Sequence, residues 1–472
     1  METPTQIASS TFPDTAAIEA FRSTLRGDIV LPSDSDYEET RKLWNGMIDK
    51  RPGMIVRCAG VSDVINSVNF ARNHKLLLAV RGGGHNVAGK AICDGGIVID
   101  LSRMKGVRVN PASQTARAQP GVLWKEFDCE TQAFGLATPG GVISSTGIAG
   151  FTLGGGLGWL VRKHGLTCDN LLSADVVTAD GRFLTASPKE NSDLFWGLRG
   201  GGGNFGIVTS FEYKLYPVSK VLGGFLFYPF EKTGEILRFY REFVRKMPDE
   251  LMAFVTFTTA PAEHFIPNHL HGKTVVAFAA CYAGPVEKGE KALKPLGELG
   301  PPAANLVSEM AYRDLQQMFD ADFVPKGFQN YWKSDYLSEL SDKAIDTIIK
   351  YIREKTSPLT GVDVIYMGGA FSRVKEDDTA FSHRHAPYFF DIESRWSDPL
   401  ENEKHIQWSH QFWEAMRPFT TGGVYVNFLM EEGDDRVRAA YGPTKYQKLV
   451  ALKNKYDPTN FFQLNQNIKP TK

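Results

Sequence analysis

Residues 79–90 read AVRGGGHNVAGK, with three consecutive glycines (Gly82, Gly83, Gly84) between Arg81 and the pair His85–Asn86. A neutral imidazole is a usable nucleophile near pH 7. Glycines on its N-terminal side let the backbone approach a bound group without side-chain clash. Three more glycine clusters follow: TPGGVISSTGIAGFTLGGGLGWLVRKHGL at 138–166, LRGGGGNFGIVTS at 198–210, and Gly368-Gly369. Backbone N–H groups without a neighbouring Cβ form concave nests for anions such as a pyrophosphate. The clusters therefore predict a large phosphate-bearing cofactor held along several backbone segments, with Arg81 offsetting phosphate charge. Two common phosphate motifs fail. GGGLGW does not open a helix after a strand, as a Rossmann fingerprint must, and no Gly-Lys-Ser/Thr follows to make a P-loop.

The elements that position these residues alternate in the N-terminal half. Residues 53–58, 76–80 and 95–101 read as short buried strands. Residues 61–75 carry Val64, Ile65, Val68 and Ala71 at helical spacing, with Ser62 as the expected N-cap. A hairpin turning at Asn110-Pro111, a helix over 123–135 and a strand pair around Asp180-Gly181 follow. This is an α+β pattern, not a doubly wound sheet. After residue 217 the character changes. Residues 223–230, 252–259, 274–282, 361–371, 387–396 and 422–429 read as strands, and 233–247, 342–355 and 402–416 as helices. Their order predicts a broad antiparallel sheet with helices on one face.

A chain of 472 residues predicts two or three domains, and 42% hydrophobic with 23% charged residues is ordinary for a globular protein. A net charge of -1 gives no basic excess for nucleic acid or an acidic membrane. No signal peptide or spanning segment is expected, and Cys58, Cys93, Cys129, Cys168 and Cys281 are scattered without a CxxC. Reduced thiols and a cytoplasmic location follow as expectations. His269 and His271 read as a solvated loop, not a metal site, and His383 and His385 as structural or surface residues.

Four segments carry a resemblance: RGGGHN at 81–86, GGVISSTGIAGFTLGGGLGWLVRKHGLTCDN at 140–170, LFWGLRGGGGNFGIVT at 194–209 and YDPTNFFQLNQNI at 456–468. Together they resemble the berberine bridge enzyme-like group within the vanillyl-alcohol oxidase type of FAD-dependent oxidoreductases, almost end to end. The resemblance implies a two-subdomain FAD-binding domain of the PCMH type over residues 1–217, completed by 431–472. A substrate domain over 218–430, an antiparallel sheet backed by helices, sits over the flavin. The group's histidine bonded to the flavin 8-methyl carbon corresponds to His85. A second link, from a cysteine in many relatives, falls on Ile143, so a singly attached FAD is expected. The flavin-binding segments imply contacts from Asn86, Gly141, Val142, Thr146, Gly147, Gly150, Gly154, Gly155, Asn170, Ile207 and Val208. Asn465 and Asn467 fall where the family's tail touches the ring. Thr146 takes the place of a residue that governs oxygen access; its valine-like shape implies oxidase behaviour.

The resemblance also implies the chemistry. GGVYVNFL resembles the family's Tyr-x-Asn motif and makes Tyr425 the catalytic base, sharing a strand face with Asn427 and Leu429. A phenol titrating near ~10 needs a neighbour that lowers its pKa to work at neutral pH. Asp391 aligns with an acid or amide aimed at the substrate, with Glu393 as the fallback on the same face. The strand before Gly368 offers Asp363 and Tyr366 on opposite faces, and Tyr366 is chosen for the pocket. The expected reaction passes a hydride from an alcohol or sugar carbon to flavin N5, and molecular oxygen then yields hydrogen peroxide. Amine or phenolic oxidation, oxidative cyclisation, and ligand binding without turnover are the alternatives. Tyr331, Trp332, Tyr336, Phe371 and Phe389 offer aromatic surface to a small-molecule substrate.

Overall fold

Three short parallel strands, Met54–Arg57, Ile97–Asp100 and Leu78–Arg81, lie side by side in that order, with Asp28–Val30 antiparallel on the outer edge. The computed structural model describes residues 12–323 and 327–471. Met54, Ile55, Val56, Ile97, Val98 and Ile99 are completely buried, as continuous apolar runs in a covered parallel sheet should be. The helix Val61–Asn73 packs on this sheet, but Gly60, not Ser62, is its N-cap. The polar work there falls to Asp63, whose carboxylate accepts from the backbone N–H groups of Arg26, Gly27 and Ala59.

A second, antiparallel sheet has the order Val107–Asn110, Thr115–Ala118, Ile207–Lys214, Leu171–Val177, Phe183–Ala186. Its outer pairs are the two hairpins read from sequence. Its central strand, Ile207–Lys214, leaves directly from the third glycine cluster and was hidden by it.

The third sheet is antiparallel throughout. Its main path runs Ala304–Asn305, Lys220–Pro229, Thr274–Tyr282, Leu251–Thr259, Gly361–Tyr366, Tyr388–Trp396, Gln329–Leu337. One face carries Val255, Val362, Val364, Phe390 and Ile392 against the helices Thr233–Phe243, Asp342–Arg353 and Asn402–Met416. The other carries Phe254, Ile365, Phe389 and Tyr336 against Trp159, Leu160 and Val161 of the second glycine cluster. Each strand alternates between these faces with period two.

Two sequence expectations fail locally. The strand from Gly361 stops at Tyr366; Gly368 (φ 49°) and Gly369 (φ 58°) turn the chain into a helix, Gly369–Arg373. Residues 422–429 are not a strand. The chain meets the sheet just before and at the start of this segment, through a bridge between Thr420 and Leu337 and a hydrogen bond from Tyr336 N–H to Gly423 O, and Val426–Phe428 form a single 3-10 turn.

The C-terminal segment is pinned to the third glycine cluster. Asp457 accepts from the N–H groups of Phe461 and Phe462, and Lys453 Nζ, fully buried, donates to Asp457 (2.7 Å) and to the carbonyls of Asn204 and Phe462. Asn204 completes the seam by accepting from Ile468 N–H and donating to Gln466 O. Among the described residues no helix is long and apolar enough to cross a membrane.

Candidate active site

The glycine loops converge. A Cβ on Gly83 would come within 2.5 Å of Gly147 Cα, so the loops 82–86 and 141–150 touch backbone to backbone. Between them, the third cluster and the third sheet lies a cavity of about 1400 Å³ including its open mouth. Gly82, Gly83, Gly84, His85, Asn86, Gly141, Val142, Thr146, Gly147, Gly150, Ile207, Val208 and Asn465 all line it. So does Ile143, where the family's second attachment would fall; Cys168 is completely buried beside Asp169, and burial pushes its thiol up.

His85 stacks on Trp44 at 4.1 Å between ring centroids and an interplanar angle of 16°. Its Nε2 is buried with no hydrogen-bond partner among the described residues. Burial pulls the imidazole down to about 4, so the ring is neutral at physiological pH. A neutral, unpartnered ring nitrogen in a wall of bare backbone fits a covalently held flavin. The cradle of glycines, with Asn465 beside Gly203, fits the remainder of FAD.

Other expected contacts lie outside the cavity wall. Arg81 is not free for a phosphate: its guanidinium donates to Asp100 (2.6 Å) and to Thr40 O (2.5 Å), cross-linking paired parallel strands. Asn170 donates to the carbonyls of His164 and Leu166 and accepts from the Tyr216 hydroxyl. Gly154 and Gly155 sit behind the wall, against Asn427 and Phe381, and Asn467 is likewise set back.

The catalytic residues chosen from sequence are rearranged most. Because residues 425–428 form a turn, Phe428 and Asn427 face the cavity and Tyr425 does not. The Tyr425 hydroxyl accepts from Gly156 N–H and from Asn427 Nδ2, both at 2.9 Å, and clamps the turn Gly154–Gly156. Burial drives its ionisation far above the ordinary phenol range, the opposite of what a base requires. Tyr366 points to the helix-covered face, packed edge-on to Tyr388 under the Arg162 guanidinium. Strand alternation accounts for this, since Tyr366 shares parity with Val362 and Val364. Asp391 is on the cavity side but only 2% exposed, with Oδ1 unpartnered among the described residues.

Glu393, two residues on, is the carboxyl that lines the cavity. Trp332 and Phe428, ring centroids 4.8 Å apart, line it as well. Burial, with the nearby Asp363 charge, raises the Glu393 carboxyl to about 8 against a smaller opposing pull from Arg395. Trp332 comes from the edge strand Gln329–Leu337, which the sequence reading missed: its Gln, Asn, Lys, Ser and Asp residues hide the apolar signal. Among the described residues no cluster of three possible metal ligands occurs.

Comparison with known proteins agrees with this geometry. Residues 52–187 match an FAD binding domain family and residues 424–469 the "Berberine and berberine like" family. An FAD-linked oxidoreductase of Dictyostelium discoideum is 31% identical over 461 residues, 97% of each chain. The (R)-6-hydroxynicotine oxidase of Paenarthrobacter nicotinovorans is 29% identical over 462 residues, covering 95% of this chain and 97% of its own. The crystal structure of 6-hydroxy-D-nicotine oxidase from Arthrobacter nicotinovorans superposes with a TM-score of 0.85 at 28% identity, covering 95% of this chain and 98% of that one. The fold, the site and these matches define an FAD-dependent oxidoreductase of the α+β, vanillyl-alcohol oxidase type. The chain belongs to its berberine bridge enzyme-like family.

Proposed function

We propose that the protein is an oxidase carrying FAD through one bond, to His85, and that it oxidises a carbon bearing a hydroxyl or an amino nitrogen in a small molecule with aromatic or ring character. The observation that carries this is the meeting of His85 and Glu393 in one cavity. FAD, when bound, takes up a hydride and passes the two electrons to oxygen, releasing hydrogen peroxide. In this reading residues 1–217 with 431–472 form the cofactor unit and 218–430 the substrate unit.

The chain's own residues supply binding, orientation and proton handling. Trp332 and Phe428 offer ring faces that order a flat or ring-shaped substrate and keep water out. Glu393 accepts the proton from the substrate's O–H or N–H, a role the raised carboxyl suits because its proton affinity lies near the operating pH. An acid–tyrosine pair in the cavity would favour O–H deprotonation and so a hydroxyl substrate. With Tyr425 outside the cavity, an amine is supported equally. Thr146, in the wall, takes the oxygen-access role.

Mass measurement of the denatured protein tests the attachment. The wild-type chain is expected to retain the mass of one FAD and its colour, and His85→Ala to lose both on denaturation. A colourless wild-type chain with free FAD in solution would refute the bond. Anaerobic mixing with a panel of sugars, alcohols and amines tests turnover: bleaching by a substrate, then peroxide on readmitting air, is expected.

A further inference from the structure

Behind Glu393 lies a row of side chains the proposed reaction has not used. Asp363 and Asp391 are direct register partners on the neighbouring antiparallel strands Gly361–Tyr366 and Tyr388–Trp396. Directly opposed residues place their Cβ atoms about 5 Å apart, and like charges there repel. The row continues to Thr256 beyond Asp363 and to Ser334 beyond Asp391, so neutral hydroxyls flank the pair on both sides. From the strand Gln329–Leu337, Asn330, Trp332, Ser334 and Tyr336 share this side, and from Leu251–Thr259 Phe254 and Thr256 lie beside it. The charged groups that face the pair are Glu393 and, two residues further, Arg395; His85 and Lys90 lie across the cavity. Asp391 Oδ1 is buried without a partner among the described residues, so no cation is fixed on it.

We propose that Asp363 is a positioning residue for Glu393: with Asp391 it forms a carboxyl pair holding one proton, and the pair's remaining negative charge governs when Glu393 can release its own. This rests on Glu393 being the proton acceptor. Two directly opposed carboxyls, one buried and one half-buried, cannot both ionise cheaply, so one keeps its proton. Asp391 is the more buried and stays protonated; Asp363, partly exposed and the register partner of Thr256, carries the charge. That charge repels ionisation of Glu393. The proton taken from substrate then comes to rest on Glu393, and the pair neither gains nor loses one in the step.

The test compares holoenzyme variants by the pH dependence of kcat/KM and of the melting temperature. Asp363→Asn removes the repelling charge, so the acid limb should move down by about one pH unit, raising kcat/KM at pH 6 up to about tenfold over wild type. Asp391→Asn puts a neutral amide where the proton sits and should shift the limb by less than about 0.3 unit. The melting temperature gives a readout independent of turnover. Carboxyls that bind protons more tightly folded than unfolded make stability fall as pH rises from 5 to 9. Asp363→Asn should flatten that fall, and Asp363→Ser, able to bond Thr256, should do the same. If Asp363→Asn keeps the wild-type limb and lowers melting equally at every pH, Asp363 is structural and the inference is overturned. Full activity in Glu393→Gln would instead overturn the proton-acceptor reading, while the melting data would still decide whether the pair holds one proton.

Discussion

Glu393→Gln is the most direct perturbation of the proposed chemistry. The substitution preserves shape and removes only the ability to ionise. With the wild-type carboxyl raised to about 8, about one-tenth of the enzyme carries the anion at pH 7. The wild-type kcat/KM should therefore climb roughly tenfold from pH 7 to a plateau above pH 9. Glu393→Gln should lose that slope and fall about 10²–10⁴-fold at the plateau, the usual contribution of a positioned base. Glu393→Asp, retracting the carboxyl by one methylene, should lie between. The assay is anaerobic stopped-flow bleaching of the flavin with a substrate found by panel screening, so oxygen chemistry does not mask the reductive step. A Glu393→Gln enzyme that keeps more than about a third of wild-type rate would refute the reasoning, as would a wild-type rate that falls between pH 6 and 9. Loss of activity in Tyr425→Phe at full flavin content, with Glu393→Gln unaffected, would return the role to the phenol.

Two other outcomes are expected. Thr146→Leu should slow flavin reoxidation by air at least about tenfold and leave anaerobic bleaching within about twofold, because added bulk at this wall blocks oxygen more than substrate; equal slowing of both half-reactions would contradict the assignment. Arg81→Met should cost about 3–5 kcal/mol in urea unfolding, since it strands the buried Asp100 carboxylate; Arg81→Met/Asp100→Asn should recover at least half, and a cost under about 1 kcal/mol would mean the pair is dispensable.

The legible parts of the fold are those with a strong local period. The strand Met54–Arg57, the hairpins around 107–118 and 171–186, and the three helices behind the third sheet appear where apolar spacing put them. The glycine-lined cavity wall was legible too, because glycines cluster where backbone must touch backbone. What escaped was set by tertiary context. Tyr425 and Phe428 lie three residues apart, and strand alternation puts Tyr425 with Asn427; a single turn over 426–428 reverses which ring meets the cavity. Arg81 looked like a phosphate ligand because its partner, Asp100, comes from a strand 19 residues away. Glu393 and Asp391 share one strand face, and only the third dimension shows which carboxyl reaches open space.

The seam built by Lys453, Asp457 and Asn204 has a consequence for biosynthesis. Leu464 and Asn465 line the same cavity as His85, which lies about 380 residues earlier in the chain. If FAD is joined to His85 as proposed, the bond forms only once residues 464–465 have docked, and a chain nicked ahead of Leu464 is expected to be colourless.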